Sequence, residues 1–410
     1  MKVKSVPAFL LTTILISSQR CNSLVASTSA AEPSAFIVPS KTTIRSATTH
    51  RFRTIFSKQP KLQMSPSSSS SSPSSSSALY SSSLWTCPTI TLRNGMVHPQ
   101  IGFGTYKVGY LPPSASAAVA AQGSTSTATA SSSAGGATER TAQECVLDAL
   151  QVGYRFLECA QFYGNEKQVG QAIQQSGIPR SELFLCSKVW TTTIEEGPEA
   201  IRQQLGQTLQ DLQTDYVDLY LIHWPVPGKH VVAYQTLEQL QKEGKIRGIG
   251  VSNYAWEDYV ELKDAGIQQL PLVNQIEINP FLYRKRTIQK FQEEGVALQS
   301  YRSLRDGKAF DHPTLKQMAQ DHAKTPAQIL GRWCIQKGFV YIPKSIKRER
   351  MIENAQVLDF TLTEDEMQTL DSLTTPEAIE TFVTLYRKCV NRDTTKDGTM
   401  EGVKMDITAD

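Results

Sequence analysis

Four side chains that could transfer a proton follow three successive apolar segments: Glu158 and Tyr163 after the first, Lys188 after the second and His223 after the third. A phenol has a pKa of about 10, but a neighbouring ammonium favours the phenolate and lowers that pKa. Lys188 is therefore the candidate to activate Tyr163, and Glu158 to hold the ammonium. His223 would hydrogen-bond a carbonyl oxygen of the substrate. Each residue alone says little, because an isolated lysine is usually solvated and an isolated histidine structural; their spacing carries the prediction.

These residues fall at the ends of predicted strands in a repeating α/β pattern. Asn94-Gly95 predicts a type I′ β-hairpin before the repeat begins. Eight apolar runs then alternate with amphipathic helical segments, and no G-x-G-x-x-G opens the first unit, so we predict a (β/α)8 barrel rather than an open doubly wound sheet. The candidate residues would then meet at the C-terminal mouth of the barrel. The predicted strands are 100–106, 154–160, 183–189, 217–224, 246–252, 272–278, 296–301 and 339–343.

The chain divides into a leader at 1–86, the barrel at 87–373 and an extension at 374–410. Within the barrel, residues 108–138 contain no charged residue and are mostly Ser, Ala, Thr and Gly. This composition predicts a flexible insertion after strand 1, and favours a tolerated insertion over a substrate lid. In the extension, Phe382, Leu385 and Tyr386 predict at least one docked helical turn. The extension could close over the pocket or reach into solvent.

The leader has the composition of a targeting sequence. Lys2 and Lys4 precede the apolar run 6–16, which is shorter than the roughly 20 residues that span a bilayer and so predicts a secretory signal. The basic, Ser-rich stretch behind it resembles a transit peptide, and residues 34–39, with Ala35-Phe36 inside, resemble the cleavage motif of plastid precursors in algae with secondary plastids. We expect import into a plastid; secretion with a Ser-rich stalk is the alternative.

Charge and cysteine usage exclude other classes of protein. Of 42 Lys and Arg residues nine lie in the leader, against one of 39 Asp and Glu residues, so the remainder has 33 basic and 38 acidic residues. This acidic body argues against nucleic acid as a partner. Seven cysteines without a C-x-x-C pair argue against a disulfide framework and a zinc site, so no metal is expected.

Several segments together identify a resemblance to the aldo-keto reductases over residues 89–373. The resemblance implies a (β/α)8 barrel that binds NADPH without a Rossmann domain and reduces aldehydes and ketones. The segments that carry it are 102–106 (Gly-Phe-Gly-Thr-Tyr), 218–225 (Asp-Leu-Tyr-Leu-Ile-His-Trp-Pro), 248–253 (Gly-Ile-Gly-Val-Ser-Asn), 274–275 (Asn-Gln) and 342–345 (Ile-Pro-Lys-Ser), followed by Arg350, Glu353 and Asn354.

The resemblance implies a role for each matching residue. Tyr163 matches the general acid, Lys188 its pKa-lowering partner and His223 the residue that orients the carbonyl. Two cationic side chains beside a hydroxyl suit the 2′-phosphate of NADPH, whereas a site for NAD usually offers an acid to the ribose. The implied cofactor residues are Ser252, Asn253 and Gln275 at the carboxamide, Tyr301 stacked on the nicotinamide, Lys344, Ser345 and Arg350 at the 2′-phosphate, and Glu353 and Asn354 at the adenine.

Two positions depart from the family pattern. The family has Asp where this chain has Glu158, which is longer by one methylene and can displace Lys188 relative to Tyr163. We therefore expect activity at a reduced or altered level. After Tyr301 a Ser-Pro-Leu run is usual, whereas this chain has Arg302-Ser303-Leu304-Arg305 in a loop that would cover the cofactor pyrophosphate. Arg302 would either grip the phosphates or be a solvated charge.

The short loop 226–230 resembles that of the compact bacterial and lower-eukaryotic branch of the family, which implies an open pocket. Tyr106, Phe162 and Trp224 would line this pocket, and His223 would also contact the substrate. Such a pocket suits small aliphatic or aromatic aldehydes and dicarbonyls. The leading hypothesis is an NADPH-dependent carbonyl reductase that acts as a monomer and does not insert stably into membranes. A non-catalytic NADPH-binding homologue is the alternative, supported only by Glu158. A barrel enzyme acting on a phosphorylated substrate is disfavoured, because no Gly-rich phosphate loop follows strand 7.

Overall fold

The computed structural model describes residues 85–109 and 140–393. The described chain opens with an antiparallel hairpin of β1 (Thr89–Thr91) and β2 (Val97–Pro99). The hairpin is as predicted, but its turn is not type I′. Only Gly95 takes a left-handed conformation, with φ of 84°, and its N–H donates to the Leu92 carbonyl at 2.8 Å. A type I′ turn needs positive φ at two central residues, and here the glycine alone supplies it.

Eight parallel strands follow and close into a barrel, which confirms the predicted (β/α)8 fold. Each strand pairs with the next along the chain. The Tyr341 N–H donates to the Gln100 carbonyl at 2.8 Å, and the Gly102 N–H donates to the Tyr341 carbonyl at 2.9 Å, so the last strand meets the segment before the first. The barrel strands are β3 (Phe103–Gly104), β4 (Phe156–Glu158), β5 (Phe184–Val189), β6 (Val217–Ile222), β7 (Ile246–Ser252), β8 (Val273–Glu277), β9 (Ala297–Tyr301) and β10 (Val340–Tyr341).

Helices cover the outside of the barrel and bury an apolar stripe against the strands. Their ends follow local sequence: Thr141 caps the first helix in a capping box with Glu144, and Gly153 ends it with φ of 115°. The helices of the described part of the chain are α1 (Ala142–Val152), α2 (Glu166–Ser176), α3 (Thr191–Glu196), α4 (Pro198–Leu212), α5 (His230–Lys242), α6 (Trp256–Asp264), α7 (Lys285–Glu293), α8 (Pro313–Asp321), α9 (Pro326–Gln336), α10 (Arg348–Ala355), α11 (Glu364–Asp371) and α12 (Pro376–Asp393).

Two apolar layers hold the fold together. Inside the barrel, buried side chains such as Phe156, Phe184 and Leu219 fill the lower part of the cylinder and pack with the hairpin residue Leu92. A larger layer lies between strands and helices and includes Trp333, Tyr220 and Phe291. Because the interior is filled by side chains rather than left as a pore, the polar groups that remain accessible are those at the upper strand ends.

The ends of the described chain dock on the barrel. The Trp85 ring N–H donates to the Val152 carbonyl at 3.2 Å, so the fold includes this residue of the predicted leader. In α12 the side chains of Ile379 and Phe382 are buried, and Arg284 lies 5.5 Å from the Phe382 ring centre. Leu385 and Tyr386 also lie on α12. The rest of the leader, most of the insertion at 108–138 and the end of the extension lie outside the described residues.

Across residues 85–109 and 140–393, none of the helices combines the length and the apolar character that crossing a bilayer requires.

Candidate active site

Three of the four acid-base candidates form one buried cluster. Glu158 ends β4, Tyr163 ends the 3₁₀ turn Gln161–Tyr163 that follows it, and Lys188 lies in β5 next to β4. The Lys188 ammonium donates to the Tyr163 hydroxyl at 2.9 Å and to the Cys159 carbonyl at 2.9 Å, and it forms an ion pair with Glu158 Oε1. The side chain of Lys188 is fully buried, so the ion pair with this carboxylate offsets part of the cost of removing both groups from water.

Glu158 also contacts the phenol directly. The Tyr163 hydroxyl donates to Glu158 Oε1 at 2.8 Å. Burial and the charge of Glu158 together raise the pKa of Tyr163 well above its usual value. This direction is opposite to the lowering by Lys188 that the sequence predicted. The first reason is that burial disfavours the charged phenolate; the second is that the same carboxylate oxygen lies against both the ammonium and the phenol, so it also opposes formation of a phenolate.

Gly104 lies on β3, the strand beside Glu158. A side chain at this position would place its Cβ 3.5 Å from Glu158 Oε2, which is an ordinary van der Waals contact, and 3.3 Å from a methyl group of Ile342, which is slightly tight. An alanine here would therefore touch the carboxylate without displacing it.

His223 lies beside this cluster, after β6. Its ring centre is 5.9 Å from that of Tyr163, and its backbone N–H donates to the Val189 carbonyl at 3.1 Å. Burial and the nearby Lys188 charge lower the pKa of His223 well below its usual value. The imidazole is therefore neutral at physiological pH, and can donate one hydrogen bond to a substrate oxygen without losing its own proton.

Aromatic rings form one side of the site. Tyr106 lies 5.1 Å from Tyr163 and 6.3 Å from Phe162, measured between ring centres. Phe162 stacks on Trp190 at 4.0 Å, and the Trp190 ring meets His223 edge-on at 4.9 Å. The sequence prediction named Tyr106 and Phe162 but missed Trp190. Its position directly after β5, two residues beyond Lys188, was the available signal.

The third predicted pocket residue, Trp224, follows His223 directly. It is partly buried and packs against the layer between strands and helices.

The residues predicted to hold the carboxamide lie on adjoining strand ends. Ser252 ends β7, Asn253 follows it, and Gln275 lies opposite Ser252 in β8. Asn253 Nδ2 donates to the His223 carbonyl at 3.0 Å and to Ser252 Oγ at 3.1 Å. The Tyr301 hydroxyl donates to Asn253 Oδ1 at 2.7 Å. The fold thus brings together the four residues predicted to contact the nicotinamide. Asn253 links them to the backbone of His223, which lies beside the acid-base cluster.

The predicted 2′-phosphate residues lie after β10 and in the first turn of α10. Lys344 and Arg350 are exposed, whereas Ser345 is buried and its Oγ donates to the Lys347 carbonyl at 3.2 Å. Of the two residues predicted at the adenine, Asn354 is buried and Glu353 accepts a hydrogen bond from Thr325 Oγ1 at 2.5 Å. The two exposed cations suit an anionic group approaching from solvent.

Arg302 is held by two carboxylates. Its guanidinium pairs with the buried Glu277 at 3.0 Å and with Asp306 at 3.2 Å. Arg302, Arg305 and Asp306 all have positive φ values, of 49°, 48° and 56°. Non-glycine residues rarely adopt this conformation, which costs of order 1 kcal/mol or more each. The ion pairs therefore stabilise an unusual loop, and Arg302 is not a freely solvated charge.

Comparison with known proteins places this barrel in a family. The aldo/keto reductase family model matches residues 125–375. The glyoxal reductase of Bacillus subtilis is 38% identical over 292 residues, which cover 71% of this chain and 94% of that protein. The 9,11-endoperoxide prostaglandin H2 reductase of Trypanosoma cruzi is 40% identical over 230 residues, covering 55% of this chain and 80% of that protein. The chain belongs to the aldo/keto reductase family.

Solved structures agree with this assignment. An aldo/keto reductase from Brucella melitensis matches with a TM-score of 0.59 and 35% identity, over 70% of this chain and all of that one. A variant of Gox0644 in complex with NADPH matches with a TM-score of 0.61 and 29% identity, over 72% of this chain and 96% of that one. The fold of this chain is therefore similar to that of these solved structures.

Proposed function

We propose that this protein reduces aldehydes and ketones to alcohols with NADPH, with Tyr163 as the proton donor. It is an NADP-dependent oxidoreductase of the aldo/keto reductase family, and related structures contain NADPH or NADP. The role of Tyr163 is supported by the position of its hydroxyl. This group lies at the aromatic side of the site and contacts both Lys188 and Glu158.

The residues of the site fit the cofactor. The amide side chains of Asn253 and Gln275 suit a nicotinamide carboxamide, and the exposed cations Lys344 and Arg350 suit the 2′-phosphate. Tyr301, at the end of β9, presents a ring beside Asn253 for stacking. When bound there, NADPH supplies the hydride for the reduction.

The chain itself orients the carbonyl and supplies the proton. The neutral His223 donates a hydrogen bond to the carbonyl oxygen, which polarises the carbonyl group. The Tyr163 hydroxyl, whose hydrogen points at Glu158 in this structure, turns toward the substrate oxygen and transfers its proton there as negative charge develops. The Lys188 ammonium, 2.9 Å from the phenol oxygen, stabilises the phenolate that remains. Glu158 keeps Lys188 in place but opposes the phenolate, so we expect this chain to be a slower acid catalyst than a variant with Asp at the same position.

Small carbonyl compounds, including dicarbonyls, are the proposed substrates. The stacked rings of Phe162 and Trp190, with Tyr106 beside them, offer a flat apolar wall next to the proton donor. A relative 38% identical is a glyoxal reductase, which supports a dicarbonyl as the first compound to assay.

The change Tyr163→Phe tests the catalytic proposal. It removes only the hydroxyl, so NADPH affinity measured by fluorescence should hold while turnover of glyoxal or a reactive aldehyde falls about a hundredfold or more. Phe162→Leu, which alters the wall but keeps the acid, is the matched control and should change KM more than kcat. Equal turnover with Tyr or Phe at 163 would favour the non-catalytic NADPH-binding homologue instead.

We also propose that the leader directs import into a plastid and that the mature protein is a monomer. The first proposal rests on the signal-like run 6–16 and the basic, Ser-rich stretch behind it. The second rests on the location of all four acid-base residues on one chain. Fusion of residues 1–86 to a fluorescent protein would test the first, since secretion of the fusion would contradict it. Sedimentation of the chain without its leader would test the second.

A further inference from the structure

A line of hydrogen-bonded side chains runs through the barrel from the carboxamide site to the N-terminal hairpin. Gln275 Nε2 in β8 donates to Gln299 Oε1 in β9 at 2.9 Å. Gln299 Nε2 lies 2.8 Å from His98 Nε2, and His98 Nδ1 lies 2.6 Å from the Pro99 carbonyl oxygen. His98, Gln275 and Gln299 are at most 2% exposed, so water does not compete for these contacts.

The chemistry of these groups allows the hydrogen bonds along the line to be donated in only one direction. A carbonyl oxygen can only accept, so His98 Nδ1 must carry the hydrogen that points at Pro99. Burial lowers the pKa of His98 to about 4, so the ring is neutral at physiological pH and its Nε2 is an acceptor. Gln299 must then direct its amide nitrogen toward His98 and its oxygen toward Gln275. Gln275 in turn donates through its nitrogen, which leaves its own Oε1 for another partner.

The other amide at the carboxamide site already has its hydrogens in use. Asn253 Nδ2 donates both of them, to the His223 carbonyl and to Ser252 Oγ, and Asn253 Oδ1 accepts from Tyr301. Ser252 Oγ donates to the backbone carbonyl of Gln275 at 2.8 Å. Within residues 85–109 and 140–393, Gln275 Oε1 takes part in none of the hydrogen bonds of this group, so both of its lone pairs can accept from the NH2 of a carboxamide, whereas Asn253 Oδ1 already accepts one hydrogen bond.

We propose that His98 and Gln299 are positioning residues that orient the amide of Gln275, so that its oxygen accepts a hydrogen bond from the nicotinamide carboxamide NH2. The inference rests on the proposed binding of NADPH at this site. His98 lies against Phe156 and Phe184, with ring centres 4.8 Å and 4.2 Å away. A residue of the hairpin at the floor of the barrel thus decides which atom of Gln275 faces the cofactor.

The test compares NADPH with its reduced 3-acetylpyridine analogue, which has a methyl ketone in place of the carboxamide and so cannot donate. Affinities are measured by fluorescence titration, without turnover. We expect the unaltered protein to bind NADPH about tenfold more tightly than the analogue, the scale of one hydrogen bond. His98→Phe and Gln299→Met break the line and should lower this ratio about threefold or more. His98→Gln keeps an acceptor oxygen near the place of Nε2 and should preserve the ratio.

Thr208→Val is a control for a buried polar change elsewhere, because Thr208 donates to Glu166 on the outer side of β5. It should leave the ratio unchanged. If all variants bind NADPH and the ratio of the two nucleotide affinities is the same in each, His98 and Gln299 do not orient Gln275. The proposed function would then remain intact. A protein that binds neither nucleotide would overturn both.

A second measurement is made on the unaltered protein and uses a variant only to assign the signal. Nitrogen NMR of histidine-labelled full-length protein reports which ring nitrogen of His98 carries the hydrogen, and His98→Gln assigns the signal. We expect the hydrogen on Nδ1 from neutral pH down to about pH 5, because the pKa of the buried ring is about 4. A hydrogen on Nε2 at neutral pH would reverse the line and overturn the proposal.

Discussion

The change Glu158→Asp should restore acid strength to Tyr163. Shortening the side chain by one methylene withdraws the carboxylate by about 1.5 Å from the phenol oxygen, which it now contacts at 2.8 Å. At an effective dielectric constant of about 20, the repulsion between carboxylate and phenolate falls from about 6 to about 4 kcal/mol. The difference of about 2 kcal/mol corresponds to about 1.5 pKa units. The pKa of Tyr163 should fall by about that amount.

The pH profile of kcat is the assay. A general acid must be protonated, so activity is lost as pH rises through the pKa of Tyr163, and a lower pKa moves this alkaline limb to lower pH. Glu158→Asp should therefore shift the limb down by about one to two units and raise kcat at neutral pH severalfold. Glu238→Asp is the matched control, because Glu238 is a buried carboxylate that accepts from the backbone N–H groups of Gln268 and Gln269.

Two results would refute this reasoning. If the limb stays in place, Glu158 does not control the pKa of Tyr163. If the limb shifts but kcat falls, the site was shaped around the longer carboxylate, and the position of Lys188 matters more than the charge of Glu158.

Three further predictions concern the cofactor, stability and the leader. Lys344→Ala with Arg350→Ala should erase a preference for NADPH over NADH of at least tenfold, measured by titration; equal affinities before the change would contradict the assignment. Burial raises the pKa of Glu166 to about 7, so unfolding free energy should fall between about pH 4.5 and 7 by about 3 kcal/mol. In denaturant titrations at several pH values, Glu166→Gln should reduce this pH-dependent fall of the unfolding free energy. An unchanged dependence on pH would refute the role of Glu166. Deleting residues 1–80 should leave melting temperature and NADPH affinity unchanged; lost solubility would place the leader within the fold.

Periodicity and turn chemistry were enough to predict the barrel. The eight apolar runs and the glycines that end helices, such as Gly177 with φ of 67°, are local features that a chain carries before it folds. Strand order follows because βα units wind in one direction, so residues at successive strand ends reach the same mouth. The proximity of Tyr163 to Lys188 could thus be expected from the positions of two strand ends alone.

Side-chain reach and long-range contacts could not be predicted in this way. The extra methylene of Glu158 was visible in the sequence, but only the closed barrel showed that its oxygen contacts the phenol as well as the ammonium. The sequence could not decide whether Arg302 grips the phosphates or is a solvated charge, because its partner Glu277 lies on another strand.

His98 and Gln299 carried no signal at all in the sequence, since 201 positions separate them. They meet because the hairpin folds under the barrel floor. Composition and spacing thus determined which strand ends form the site. Only the tertiary structure decided which atom donates to which, because hydrogen-bond direction depends on contacts between residues far apart in the chain.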